Sequence, residues 1–308
     1  MNKKPKIAII GLSGESVFMK VDHFHRLGET LVSRDFHSEP GGKGFNQAVA
    51  VSRLGGKAHF LSAVGDDGYG IACERYLCDQ GVIPHLKVKS GHKTAYAVIL
   101  TDKQGENRVT VFPGASSELK TPDLDDFEDV IADSSILLLQ LEVPIPVVKQ
   151  AIRLANRHRV PVILNPAPAK PLDREVLDGV TILTPNESEA LSICALTTHE
   201  RLSRLIESLQ VLNKTIIVTR GKNGAVIIEK NKITTIPGLD VDCLDSTGAG
   251  DVFNGALAVS WASGRTLVEA ARFANAAAAL SVTKEHVMDA LPTRAEVEEF
   301  IRKMGGEA

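Results

Sequence analysis

Ile136-Leu137-Leu138-Leu139-Gln140, then the helical spacing of Pro146–His158, then Val162-Ile163-Leu164 is the stretch on which the fold turns. Short apolar runs bounded by turn residues and separated by a helical pattern describe parallel strands covered by helices. The same rhythm extends outward. Lys6–Ile10, His59–Val64, Thr181–Thr184 and Ile216–Thr219 are further strand candidates, and Phe45–Leu54, Gly70–Gln80, Glu187–Leu196 and His199–Leu212 are helix candidates. The expected class is α/β, a doubly wound, mostly parallel sheet flanked by helices, in one domain spanning 1–308.

Two stretches break the rhythm. Ser16–Glu39 lies between the first strand and the first helix, and Lys93–Phe112 places Thr94–Leu100 and Arg108–Phe112 on either side of a polar hairpin turn. Two insertions, at about 14–40 and 92–113, would make a small β-sheet lid over one mouth of the main sheet, or else an ordinary extension of its edge.

The 308 residues are 44% hydrophobic, enough for a substantial core, and 35 Lys and Arg nearly balance 38 Asp and Glu. No basic run suits a nucleic-acid backbone or an anionic membrane. Residues Met1–Lys6 are basic, but the apolar stretch behind them stops at Gly11, too short for a signal-peptide core or a membrane span. The expectation is a cytoplasmic protein whose Cys73, Cys78, Cys194 and Cys243 are ordinary reduced thiols.

Chemistry is concentrated in Asp245-Ser246-Thr247-Gly248-Ala249-Gly250-Asp251, ahead of a long pattern of alanines and aliphatics. A small-residue turn feeding a helix offers unpaired backbone N–H groups and the positive end of the helix dipole, a site for an anion. Asp251 beside it would repel a static phosphate but could take the proton of an attacking hydroxyl; the competing use is a first-turn helix-capping carboxylate. A second glycine cluster, Gly41-Gly42-Lys43-Gly44-Phe45-Asn46, also precedes a helix. There is no Walker Gly-x4-Gly-Lys-Ser/Thr, and no Gly-x-Gly-x-x-Gly follows the first strand, which weakens a dinucleotide oxidoreductase.

Together the two clusters resemble the paired signatures of the ribokinase-like, or phosphofructokinase-B-type, carbohydrate kinases. The resemblance extends through Gln140-Leu141-Glu142, Asn165–Ala169, Thr184–Glu189, Thr219–Gly224 and Arg272–Ala278. It implies transfer of the γ-phosphoryl of Mg-ATP to a sugar hydroxymethyl group, with ribose as the leading acceptor. Fructose, a deoxypentose or a nucleoside are alternatives, as is a regulator that binds sugar or nucleotide without turnover. Asp251 would be the base, with Gly248, Ala249 and Gly250 as the anion hole. Gly41, Gly42, Lys43, Asn46, Glu142 and Ser16 would face the acceptor. Asn186, Thr219, Gly221, Gly224, Gly250 and Asn275 would face the nucleotide, and Glu189 would hold Mg2+ through water. A monovalent cation, K+, would sit near Asp245 and Thr247 and the backbone around Ser281, Lys284 and His286, or else Lys284 would supply that charge in its place. A homodimer through the lid is the expected assembly.

This sequence departs from the resemblance at two places. Gly14-Glu15-Ser16 stands where the family carries Asn-x-Asp, and Thr283–Ala290 stands in place of a glycine-rich turn. A single serine hydroxyl cannot offer two anionic oxygens to neighbouring hydroxyls, so either Glu15 or another group compensates or the preferred acceptor differs at those positions.

Overall fold

The structure is a computed structural model, and it describes residues 4–197 and 201–305. Thirteen strands are present among them: β1 Lys6–Ile10, β2 Gly14–Lys20, β3 Asp35–Gly41, β4 Lys57–Gly65, β5 Ile83–Lys89, β6 Ala95–Thr101, β7 Asn107–Phe112, β8 Ile136–Leu139, β9 Val162–Leu164, β10 Ile182–Leu183, β11 Thr215–Thr219, β12 Ala225–Glu229 and β13 Lys232–Ile236. Nine form the main sheet in the order β13-β12-β11-β10-β9-β8-β1-β4-β5. All pairs from β11 to β5 are parallel, while β12 and β13 add an antiparallel edge.

Alternation along the strands builds two cores. Ile7 and Ile9 of β1 face a layer containing the helices Lys43–Arg53, Ala249–Ala262 and Leu267–Ser281, while Ala8 and Ile10 face the layer of Ile145–Arg157 and Leu202–Gln210. A strand buried on both faces needs apolar residues at every buried position, which is why Ile7–Ile10 of β1 and all of β8 are continuous apolar runs. Each buried Leu or Ile contributes roughly 1.5–3 kcal/mol, against about 0–1 kcal/mol for an exposed ion pair such as Lys6–Asp133. Core alternation therefore sets the register of the strands.

The chain leaves β1 to build β4 and β5 on one side, then returns to lay β8 to β11 on the other. Ligands of such sheets bind beyond the carboxyl ends of the strands where the winding reverses, here beyond β1 and β8. Gly11 lies just past β1, and a Cβ there would stand 2.2 Å from Gln140 Oε1 and 2.7 Å from Gly44 Cα. Only glycine lets the strand end, the Lys43–Arg53 helix and Gln140 meet.

The insertions form a separate four-stranded sheet in the order β3-β2-β6-β7. Gly14 pairs with Gly41, Ser16 with Glu39 and Phe18 with His37. It is a lid sheet and not an edge extension, since it does not pair with the main sheet. The long alanine pattern after Gly248 is two helices, Ala249–Ala262 and Leu267–Ser281, separated at Gly264 (φ 91°). The expected helix His199–Leu212 is seen as Leu202–Gln210; His199 and Glu200 lie outside the described residues, as do Met1, Asn2 and Lys3 of the basic N-terminal run.

Candidate active site

Three adjoining cavities run from the lid to the far edge of the Ala249–Ala262 helix. The first, about 150 Å3, lies under the lid and is lined by Ser16, Gly41, Gly42, Lys43, Asn46, Glu142, Gly248 and Asp251, with Phe18, Ile99, Val109 and Val111 as its apolar wall. The second, about 210 Å3, shares Lys43, Gly248 and Asp251 with the first and adds Asn186, Glu189, Thr219 and Gly250. The third, about 490 Å3, shares Thr219 and Gly250 with the second and adds Gly221, Gly224, Ala249, Asn275 and the apolar Phe253, Ala278 and Val282. Asp251 stands where the first two meet, and Gly250 where the last two meet.

Asp251 is buried, and its carboxylate does not cap its own helix. It accepts instead from Asn46 Nδ2 at 2.8 Å and Gln47 Nε2 at 2.9 Å. The capping use expected as an alternative is therefore not the one observed. Burial pushes the carboxyl above its ordinary pKa, while the Lys43 charge and the two amide donors pull the other way. Burial also opposes the Lys43 ammonium, yet Asp251, Glu142 and Glu189 together hold its pKa above the usual lysine value. Glu142, which accepts from the Lys43 backbone N–H at 2.8 Å, is pushed by burial up to about 7 against the Lys43 charge.

The anion turn has the geometry expected of it. Gly248 is left-handed (φ 78°), and a Cβ there would meet Val287 Cγ1 at 2.7 Å, whereas a Cβ at Gly250 would meet nothing within 4 Å. The cavity floor at Gly250 is bare backbone at a helix N-terminus, where N–H groups lack helical partners.

Several residues of the site, Gln140, Asn165 and Thr184 among them, lie in the stretches that carry the resemblance but take no individual role from the sequence. Gln140 Nε2 donates to Gln47 Oε1 (2.5 Å), and Gln47 also donates to Asn165 Oδ1 (3.3 Å), whose own amide donates to the Thr184 carbonyl (3.0 Å). Thr184 Oγ1 then donates to Asn254 Oδ1 (2.6 Å), and Asn254 Nδ2 to the Gly250 carbonyl (2.8 Å). One polar network thus joins the Asp251 carboxylate to the anion turn. A signal was present: Gln140, Asn165 and Thr184 each follow directly on the apolar runs of β8, β9 and β10, and Gln47 lies four residues after Lys43 on one helix face.

Elsewhere the expected residues have additional or different partners. Asn186 and Glu189 form a reciprocal capping box at the start of Glu187–Ile193 while also lining the second cavity. Gly224 (φ 80°) is required by the fold as well, since a Cβ there would stand 2.2 Å from the Ile236 carbonyl oxygen. Asn275 donates to the Pro237 carbonyl at 3.0 Å. Asp245 accepts from the Thr247 and His286 backbone amides, but Ser281 Oγ donates to the Ala278 carbonyl and Lys284 Nζ donates to Glu296. Lys284 therefore does not bring its charge to Asp245. Among the described residues, no three His, Cys, Asp or Glu side chains gather as a metal ligand set. None of the described helices is long and apolar enough to cross a membrane, and all four cysteines are free.

The sequence matches the pfkB family carbohydrate kinase pattern over residues 4–294. The chain belongs to that family. It is similar to the ribokinase of Bacillus subtilis, 36% identical over 96% of this chain and 99% of that one, and to the ribokinase of Haemophilus influenzae, 35% identical over 96% and 98%. Among solved structures it superposes on Arabidopsis thaliana ribokinase complexed with ribose and ATP with a TM-score of 0.89, at 27% identity, covering 97% of this chain and 99% of that one. As a member of the pfkB family, the chain is an ATP-dependent carbohydrate kinase with the ribokinase-like α/β fold and lid.

Proposed function

We infer that the chain phosphorylates the hydroxymethyl group of a small sugar, with ribose the first acceptor to test. The observation that carries this reading is the position of Asp251, buried between a sugar-sized cavity under the lid and a cavity floored by the anion turn. The relatives' names and the ribose and ATP in the Arabidopsis complex support it.

The residues present fit both substrates. Asn46 Oδ1 is a buried acceptor atom without a partner inside the protein, in the first cavity beside Asp251, and a sugar hydroxyl would supply its donor. Gly41, Gly42 and Ser16 let backbone and one hydroxyl approach the rest of the sugar, and Glu142 closes the same cavity. In the third cavity, the apolar Phe253, Ala278 and Val282 suit a base, with Thr219, Gly221, Gly224 and Asn275 at its polar side. Bare backbone at Gly250 suits phosphate oxygens, and Glu189 with Asn186 suits a hard cation that keeps its waters. A K+ ion would take backbone carbonyls around Ser281, Lys284 and His286 beside Asp245, and Lys284, paired with Glu296, does not put its own charge there.

Bound Mg-ATP supplies the transferable phosphoryl group and neutralises part of its charge. Asp251 accepts the proton of the acceptor hydroxyl as that oxygen bonds to phosphorus and the bond to the ADP oxygen breaks. Gln47 and Asn46 hold the carboxylate in place, while Lys43 and the backbone of Gly248 and Gly250 line the cavity where charge would develop in transfer. Lid closure would exclude water.

The reading includes one domain over 1–308 with the lid as its insertion, and a homodimer through the lid. β3 and β7 end the lid sheet with free edges, and Phe36, Val109 and Phe112 are exposed there. Light scattering that shows only monomer would exclude the dimer. The activity itself is tested by ADP release from Mg-ATP against a panel of pentoses, hexoses and nucleosides, with Asp251→Asn alongside. Sugar-dependent turnover that Asp251→Asn loses by about 10²–10⁴-fold is expected; turnover with nucleosides alone, or full activity in the variant, would overturn the acceptor or the base.

A further inference from the structure

Three consecutive backbone amides, those of His286, Val287 and Met288, are held by two carboxylates from distant parts of the chain. His286 N donates to Asp245 Oδ2 at 3.2 Å, Val287 N to Glu39 Oε1 at 2.9 Å and Met288 N to Glu39 Oε2 at 3.2 Å. Glu39 belongs to lid strand β3, opposite Ser16 of β2, and is only 7% exposed.

Val287 is the next link. Its Cγ1 would stand 2.7 Å from a Cβ at Gly248, so its side chain packs against the Cα of the residue that opens the anion turn. Asp245 holds the same turn from the other side, because its second oxygen accepts from Thr247 N at 2.9 Å. Arg53 supports the outer side of the loop, donating to the carbonyls of Met288 and Leu291 at 2.8 Å each.

The loop is held in a conformation that it would not adopt unaided. His286 has φ 65°, uncommon for a residue other than glycine and sustained where the surroundings fix it. Its ring stacks on His37 of β3 with centroids 3.8 Å apart, and His37 Nε2 lies 3.2 Å from Glu39 Oε2. A buried carboxylate is costly unless its oxygens are fully bonded. Here they are, and charge-assisted bonds fix both amides more firmly than neutral acceptors would.

We propose that Glu39 is a positioning residue for phosphoryl transfer, tying lid strand β3 to the Gly248–Gly250 turn through the amides of Val287 and Met288. It acts through Val287 and bonds neither substrate. The proposal rests on the reading of Gly248–Gly250 as the anion site and of Asp251 as the base.

Steady-state kinetics of Glu39→Ala, Glu39→Gln, Asp251→Asn and Leu205→Ala test it, with melting temperatures for each. Leu205 is a core residue of the Leu202–Gln210 helix, outside the site, and serves as a control for general destabilisation. Glu39→Ala is expected to lower kcat by about tenfold to a hundredfold, as misplacement of catalytic groups does, with KM for ATP changing less than about threefold. Glu39→Gln keeps a carbonyl oxygen for Val287 N and should recover part of that loss. Leu205→Ala, which lowers the melting temperature without touching the loop, should keep kcat. Wild-type kcat in Glu39→Ala, a loss confined to KM, or a kcat loss matched by Leu205→Ala would overturn the proposal. Wild-type turnover in Asp251→Asn would instead remove the reading beneath it, while an inactive Asp251→Asn beside a fully active Glu39→Ala would count against Glu39 alone.

Discussion

The side-chain amide of Gln47 donates to Asp251 Oδ1 at 2.9 Å across 204 residues of chain. The helix that begins in the N-terminal glycine cluster thereby orients the carboxylate that follows the C-terminal one. Asp251 must be ionised to take a proton, and its carboxyl is raised by burial and lowered by Lys43, Gln47 and Asn46. Activity should therefore fall as pH falls through the pKa of Asp251.

Replacing Gln47 with Leu removes one of the influences that lower that pKa. The acid limb of the pH profile of kcat/KM should move to higher pH, and activity at neutral pH should drop by about tenfold to a hundredfold, the equivalent of losing a hydrogen bond to a charged group. A profile with an unmoved acid limb would show that Gln47 does not tune the base.

Glu142 makes a prediction about stability. Its native carboxyl, pushed up to about 7, holds a proton where an unfolded chain with the ordinary value of 4.5 has released it. The native state thus binds more protons between those values, and the contribution of this group to stability is present below 4.5 and lost as pH rises through 7. Glu142→Gln keeps a carbonyl for the Lys43 N–H and should melt several degrees above the parent protein at about pH 8, with the gap closing at about pH 4.5; 1 kcal/mol corresponds to about 1–2 °C in a chain of this length. Equal melting temperatures at both ends would overturn the burial argument.

The two glycines of the anion turn should separate stability from function. Gly248→Ala puts a Cβ at a left-handed position and into Val287, so it should cost about 1–3 kcal/mol of stability as well as activity. Gly250→Ala meets no protein atom and gains helix propensity, so melting should hold or rise slightly while the methyl group occupies the cavity floor. KM for ATP should rise by about tenfold or more in Gly250→Ala. Normal kinetics in that variant would place the phosphates elsewhere.

How far the sequence revealed this arrangement follows from burial. The central strands β1, β4, β8 and β11 are covered on both faces, so their composition announces them. β5 carries Pro84 and alternate lysines at the sheet edge, and β13 is largely exposed, so neither has the apolar run that marks a buried strand. Backbone-permissive glycines made both halves of the site apparent. The Gln140, Asn165, Thr184 and Asn254 network did not stand out, because a polar residue at a strand end or within a helix is ordinarily solvated. Only the convergence of three strand ends on the Gly250 turn makes those residues a buried network.

Ser16 addresses the acceptor. It lines the first cavity, its Oγ would lie 2.5 Å from a Cβ at Gly41, and its register partner is Glu39, whose oxygens are committed to the Val287 and Met288 amides. The lid thus brings the neutral Ser16 hydroxyl to this cavity, with Glu15 of the same strand also in its lining, while Phe18, Ile99 and Val109 supply an apolar wall. Ser16→Ala removes a single neutral hydrogen bond, worth about 0.5–1.5 kcal/mol, so KM for the acceptor should rise by about twofold to tenfold with kcat unchanged. If Ser16 bonds a particular sugar hydroxyl, the acceptor lacking that hydroxyl should show no loss in the variant. Comparing a pentose with its deoxy counterparts in both proteins checks this, and an equal loss for every acceptor would mean that Ser16 shapes the lid without reading the sugar.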